Sequence, residues 1–312
     1  MTDAVVSDML AALSRRQMLA VSAAVPLVAG GAMPALAAAG PLLDPRHFTI
    51  HTEAGRAVEI TEWMPKGRPV GLILFSHGAG SAPKYYDPII GPVVAAGWRV
   101  LAPLHVDSRE HPDTAKFPGL TTWKARVEDF RALQAHVGHA PYVAMGHSYG
   151  GMTALVLGGA ESQRPEGLTG PLTDGKALAV VAFSPPPAIP VLITKEGYGK
   201  LAVPAVVQTG TIDIMQGITA ASPDAWRAHL DGFEAAAPGG NRYGLVLEGV
   251  NHYFGGLICD FSQPGPARPD RMADANRIAG LFLKAYGRGD AKARAALDAC
   301  VTDALPVRLL KK

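Results

Sequence analysis

Five residues, Gly146-His147-Ser148-Tyr149-Gly150, have the types and spacing that nucleophilic acyl transfer requires. A serine hydroxyl attacks a carbonyl only when it stands clear of the backbone and beside a base, and a Gly-x-Ser-x-Gly turn supplies the first condition. The turn is so tight that a Cβ at 146 or 150 would collide with neighbouring backbone, which accounts for both glycines. The hydroxyl is then expected at a helix N-terminus, whose free N–H groups favour negative charge developing on a substrate oxygen. Pentapeptides of this form also arise as plain strand-to-helix turns, so the flanks decide. Here Tyr142 to Met145 is an apolar run of β character, and Met152 to Leu157 reads as a buried helix.

A serine nucleophile needs two oxyanion donors, a base and an acid. One donor is expected to be the N–H of Tyr149, just after the nucleophile. The other belongs to the small-residue loop Ser76-His77-Gly78-Ala79-Gly80-Ser81, which ends the apolar run Val70 to Phe75; Ala79 follows His-Gly and holds the donor position. His77 is expected to support that loop, not to act as the base. A phosphate-binding reading of the loop fails, since it has neither a G-x-G-x-x-G register nor a Walker lysine. Asp213 lies just beyond the run Val203 to Gln208, at the edge where open α/β sheets place their sites, and can hold a histidine tautomer. His252 is the histidine in the loop after the last apolar run, Tyr243 to Glu248. The competing readings are a capping Asp213 and a structural His252. The chain order Ser148, Asp213, His252 favours nucleophile, acid and base.

These residues need a sheet to hold them. Buried strands are expected at Val70–Phe75, Trp98–Ala102, Tyr142–Met145, Leu178–Phe183, Val203–Gln208 and Tyr243–Glu248, after an antiparallel hairpin between His47 and Met64. Helices are expected at Asp87–Ala96, at Trp123–Val137 with an apolar face, and at Arg271–Tyr286, with a short helix in the Ala/Lys-rich tail. The segment 103–120 has no apolar period and carries His105, Asp107, His111 and Asp113, read as a solvated loop beside the site, with a metal cluster as the alternative. Tyr85, Tyr86, Tyr253 and Phe254 flank the loops as candidate pocket residues, core packing being the other reading.

With 312 residues, 48% of them hydrophobic and 18% charged, the chain can bury a large core as one domain. A formal net charge of +2 with no Lys/Arg block argues against nucleic acid or an anionic membrane as partner. Arg15 and Arg16 precede an Ala/Gly-rich run broken by Pro26 and Pro34 and ending in Ala-x-Ala near Ala37. That pattern resembles a twin-arginine export signal over residues 1–39, leaving 40–312 as the folded domain; a transmembrane anchor is the competing reading, disfavoured by the prolines, glycines and alanines that interrupt the run. It implies passage through the twin-arginine machinery and a mature protein that is exported, periplasmic or secreted, with no membrane segment of its own. The only two cysteines, Cys259 and Cys300, would then have access to an oxidising compartment; one disulfide and two separate thiols both remain open.

Phe75-Ser76-His77-Gly78-Ala79-Gly80, Gly146 to Gly151, Asp213 and His252 together resemble the α/β-hydrolases, in the branch of dienelactone hydrolase-like proteins and platelet-activating-factor acetylhydrolases. The resemblance covers residues 45 to 287. It implies an α/β fold with a mostly parallel eight-stranded sheet, helices on both faces, no cofactor and no metal. It also implies cleavage of a small or polymeric ester through an acyl-enzyme. Dienelactone hydrolases carry a cysteine nucleophile, and Ser148 departs from them toward ordinary ester cleavage. Peptidase, thioesterase, haloperoxidase-like or lyase chemistry on the same fold are the alternatives, followed by a non-catalytic binding role.

Overall fold

The computed structural model describes residues 44–312 except 216, 217, 220, 221 and 264; the expected export signal lies outside the described residues. The apolar runs form strands as expected. In chain order they are β1 (Arg46–His51), β2 (Ala57–Trp63), β3 (Gly71–Ser76), β4 (Trp98–Pro103), β5 (Tyr142–His147), β6 (Ala177–Phe183), β7 (Ala205–Gly210), β8 (Arg242–Leu247) and β9 (Val307–Lys311). They form one sheet in the order β1-β2-β4-β3-β5-β6-β7-β8-β9. From β4 through β8 the neighbours run parallel, while β1, β2 and β9 pair antiparallel at the two edges.

The sheet has nine strands where eight were expected. The extra one, β9, follows the tail helix and pairs with β8 from Val307↔Leu247 to Lys311↔Tyr243. Five residues long and carrying Arg308 and Lys311, it has too little apolar signal to stand out, and its charges suit an exposed edge.

The main helices are α1 (Asp87–Ala95), α2 (Thr121–His136), α3 (Tyr149–Leu157), α4 (Lys195–Gly199), α5 (Asp231–Ala235), α6 (Pro269–Phe282) and α7 (Ala291–Asp298). Side chains alternate across a strand, so each parallel strand feeds two cores. On β3, Leu72 and Leu74 face Trp123, Phe130 and Leu133 of α2 and Met152 and Leu155 of α3. Ile73 and Phe75 face Ile89, Ile90 and Val93 of α1 and Ile278 and Phe282 of α6. A strand buried on both faces has to be apolar along its whole length, which is what made these runs readable. None of the described helices is long and apolar enough to cross a membrane.

Candidate active site

Ser148 sits between β5 and α3 with φ 55° and ψ −125°, a backbone conformation that L-residues avoid. Its N–H donates to Phe183 O at 2.8 Å, and the helix starts immediately after it. The flanking glycines are a steric necessity. A Cβ on Gly146 would lie 2.2 Å from Gly150 O, and one on Gly150 would lie 1.9 Å from Ser76 O. The elbow therefore presses its backbone directly onto the end of β3, where the oxyanion loop begins.

The structure brings Asp213 and His252 together. His252 Nδ1 lies 2.8 Å from Asp213 Oδ1, and Thr209 Oγ1 donates to Asp213 Oδ2 at 3.0 Å. Asp213 is fully buried. Burial alone would raise its carboxyl, but His229 and His252 beside it hold it well below the usual carboxylate range, so it is ionised. A carboxylate can only accept, which places a proton on His252 Nδ1, so that in the neutral imidazole the lone pair is on Nε2. That Nε2 is buried and has no hydrogen-bond partner among the described residues. The two loops are joined by backbone, Ile212 N donating to Val250 O at 3.2 Å, and the His252 loop is braced within itself by Asn251 Oδ1, which accepts from the N–H groups of Tyr253 and Gly255.

On the oxyanion side, the Ala79 N–H donates to no backbone acceptor among the described residues. Tyr149 is the first residue of α3, so its N–H has no intrahelical acceptor. Two open donors, a serine on a strained turn and the Asp213–His252 pair are the groups that a proton-transfer and oxyanion-stabilising site would need.

A family model described as "Alpha/beta hydrolase family" matches residues 73–306, well over half of the chain. The chain belongs to that family. Among solved structures the hydrolase is similar to an esterase of Thermogutta terrifontis, at 16% identity and TM-score 0.55, covering 78% of this chain and 92% of that one. It is also similar to a dienelactone hydrolase of Anabaena variabilis, at 17% identity and TM-score 0.51, covering 78% and 98%. At such identities the likeness speaks for the fold. A sequence relative, an sn-1-specific diacylglycerol lipase of Mus musculus, is 36% identical over 95 residues, which is 30% of this chain and only 29% of the lipase.

Several residues of the hydrolase were misread or missed in the sequence. Of the four candidate pocket aromatics, Tyr86 and Phe254 are fully buried and cannot contact substrate. Phe254 packs in the core between β8 and α6. Tyr85 and Tyr253 stay half-exposed at the site, Tyr253 edge-on to the His252 ring with centroids 5.1 Å apart. Tyr86 instead links the site's parts. Its hydroxyl accepts from Gly78 N–H at 2.9 Å and lies 3.0 Å from His147 Nδ1; His147 Nε2 lies 2.8 Å from His252 O. A carbonyl needs a donor, so His147 carries its proton on Nε2 and accepts from Tyr86 on Nδ1. Burial pushes this histidine down to about 3, which keeps it neutral. One neutral imidazole thus ties the loop at Gly78, the elbow and the His252 loop together. Tyr86→Phe leaves two buried polar groups unpaired; we expect stability to fall by about 1–3 kcal/mol and kcat by about 10-fold, read by denaturant titration and ester turnover.

The reading of segment 103–120 as a solvated loop also fails at two positions. His105 is fully buried and bonds Asp129, and Asp107 forms a bidentate pair with Arg126 of α2. Their partners lie on α2, whose sequence pattern shows only an apolar face. Asp213, His229 and His252 do bring one ligand atom each within 4.8 Å of one another. His252 uses Nδ1 on Asp213 and His229 donates through Nδ1 to Pro185 O at 2.7 Å, while the Nε2 of each ring has no hydrogen-bond partner among the described residues. The two cysteines are unpaired. Cys259 is buried beneath the oxyanion loop, whose Ser81 hydroxyl donates to its carbonyl at 2.8 Å, while Cys300 lies beyond α7, 3.3 Å from Arg277.

His77, His105, His147 and His229 are all buried, and in each burial is the largest cause of a pKa below the free value. In the unfolded chain they take protons near pH 6.5, whereas in the native state they resist. Their contribution is full above that pH and is lost as pH falls through it toward their native values. Asp129, pushed up to about 7 by burial, acts in the opposite sense, one group against four. The melting temperature should fall steadily from pH 6.5 to pH 4 in calorimetry.

Proposed function

We propose that this hydrolase cleaves carboxylic esters, with Ser148 as nucleophile, His252 as general base and then acid, Asp213 as the carboxylate that orients it, and the N–H groups of Ala79 and Tyr149 as oxyanion donors. The observation that carries the reading is the sorted imidazole of His252: Nδ1 bound to an ionised Asp213 at 2.8 Å, with Nε2 left open. His252 Nε2 takes the Ser148 proton as Oγ bonds to the ester carbonyl carbon, and the carbonyl oxygen becomes the oxyanion. Collapse expels the alcohol, which leaves with that proton; water then repeats the sequence on the acyl-enzyme and frees the acid. The lipase to which this chain is 36% identical over 95 residues supports the ester bond over the amide.

The substrate's chemistry is suggested by the rim. Ile212 and Ile214, on either side of Asp213, are 44% and 40% exposed, and Phe261, edge-on to Tyr85 at 5.1 Å, is 59% exposed. Exposed apolar side chains on two loops of the site favour an apolar acyl or alcohol group. With p-nitrophenyl esters of rising acyl length, kcat/KM should climb by about threefold per methylene until the rim is covered. A fall with acyl length, or faster release from acyl-peptide anilides than from esters, would refute this reading and favour a peptidase.

A further inference from the structure

We propose that Arg126, on α2, is the positioning residue of the oxyanion hole: one buried guanidinium holds both donor-bearing segments at a single spacing. The proposal rests on the assignment of Ala79 and Tyr149 as the donors. Arg126 is wholly excluded from solvent. Its Nη1 donates to His77 O at 2.9 Å, which fixes the peptide at the start of the loop that presents Ala79. Its Cζ lies 4.4 Å from the centre of the Tyr149 ring, a cation–π stack on the residue that supplies the other donor. Both segments thus bear on one planar group.

The guanidinium is itself over-determined. Nε and Nη2 make a bidentate pair with Asp107 at 3.0 and 2.7 Å, and Nη1 also donates to Ser76 Oγ at 3.0 Å. His105 Nδ1 donates to Asp129 at 2.7 Å, so its Nε2 accepts from the Ser76 hydroxyl at 3.0 Å, and Arg56 closes the chain on Asp129 at 2.7 Å. His105 N–H donates to His77 Nε2 at 2.9 Å, and His77 Nδ1 to Gly78 O at 2.7 Å, so the loop is gripped along three consecutive residues. Ser76, His105 and Asp129 form a second Ser–His–Asp chain, yet all three are fully buried and the serine is held by Arg126. Its bonds are spent on the loop. Arg is required where a planar fork must bond on its edge and stack on its face, and lysine offers neither.

In the Michaelis complex the carbonyl is still neutral and gains little from the donors; in the tetrahedral state it carries the charge they are aimed at. A displaced hole therefore affects kcat more than KM. For Arg126→Lys in the full chain, with active sites counted by fluorophosphonate labelling of Ser148, we expect kcat to fall about 10- to 100-fold and KM to stay within about threefold. Inhibition by a trifluoromethyl ketone, which forms the same oxyanion on Ser148, should weaken by the same factor as kcat/KM. If Arg126→Lys does not fold, Tyr149→Leu removes the stack while keeping the backbone N–H and the guanidinium's hydrogen bonds, and must show the same split. A lower melting temperature with unchanged kcat per labelled site and unchanged ketone inhibition in the folded variant overturns the proposal. Ester turnover surviving Ser148→Ala would instead overturn the functional reading beneath it.

Discussion

Ser148→Ala should lower kcat on an ester by about 10⁴-fold or more while leaving the fold intact. The hydroxyl is the atom that bonds to the substrate, and no neighbouring group replaces it: Ser76 and Ser184 are buried, and Ser81 spends its hydroxyl on Cys259 O. The backbone at this position makes a second, opposite effect expected. With φ 55° and ψ −125°, residue 148 is held where a side chain costs on the order of 1–3 kcal/mol, and glycine removes most of that cost. Ser148→Gly should therefore be equally inactive yet melt higher than the wild type. An inactive variant that is more stable than its parent separates the site's requirement from the fold's, and circular dichroism melts beside ester assays would show both.

Asp213→Asn should cost about 10³- to 10⁴-fold in kcat, with KM little changed, and the surroundings of Asp213 indicate how. The Oδ1 position faces two ring nitrogens, His252 Nδ1 at 2.8 Å and His229 Nε2 at 3.3 Å. His229 donates through Nδ1 to Pro185 O, and its Nε2 has no hydrogen-bond partner among the described residues. With no carboxylate beside it, an asparagine can turn its NH₂ to the Oδ1 position and donate to a neutral His229 Nε2. His252 Nδ1 would then have to accept, its proton would move to Nε2, and the base would be lost through the wrong tautomer. Slower fluorophosphonate labelling of Ser148, in parallel with the fall in kcat, would show that the loss is in nucleophile activation. A variant with normal labelling and lost turnover would place the role of Asp213 elsewhere.

The parts of this molecule that were legible in the sequence are those with local causes. The elbow is local: two glycines demanded by contacts of 2.2 and 1.9 Å announce themselves in five residues. The parallel strands are also local, because burial on both faces forces unbroken apolar runs. Asp213 and His252 stand out by chain order, since each follows a strand with a readable apolar run, and the structure places them 2.8 Å apart. What escaped was set by partners distant in sequence. Arg126 and Asp129 turn inward from α2 toward Asp107 and His105, 19 and 24 residues earlier, and nothing near them marks a polar residue as buried. Tyr86 reads as one of two adjacent tyrosines, and its bond to His147, 61 residues away, is what makes it structural while Tyr85 stays at the rim. Strand β9 was hidden for a different reason: an edge strand needs only one buried side chain, here Leu309, and its charges look like a solvated tail.

Ester cleavage by this site requires that an acyl group pass through Ser148. Rapid quenching of the hydrolase with a p-nitrophenyl ester, followed by mass spectrometry of its peptides, detects that intermediate. A burst of p-nitrophenol equal to the labelled sites is expected, with an acyl mass on the peptide containing Ser148 that is absent from Ser148→Ala. Steady turnover with no acyl mass on that peptide, or an adduct that persists in Ser148→Ala, would contradict the assignment of Ser148 as nucleophile.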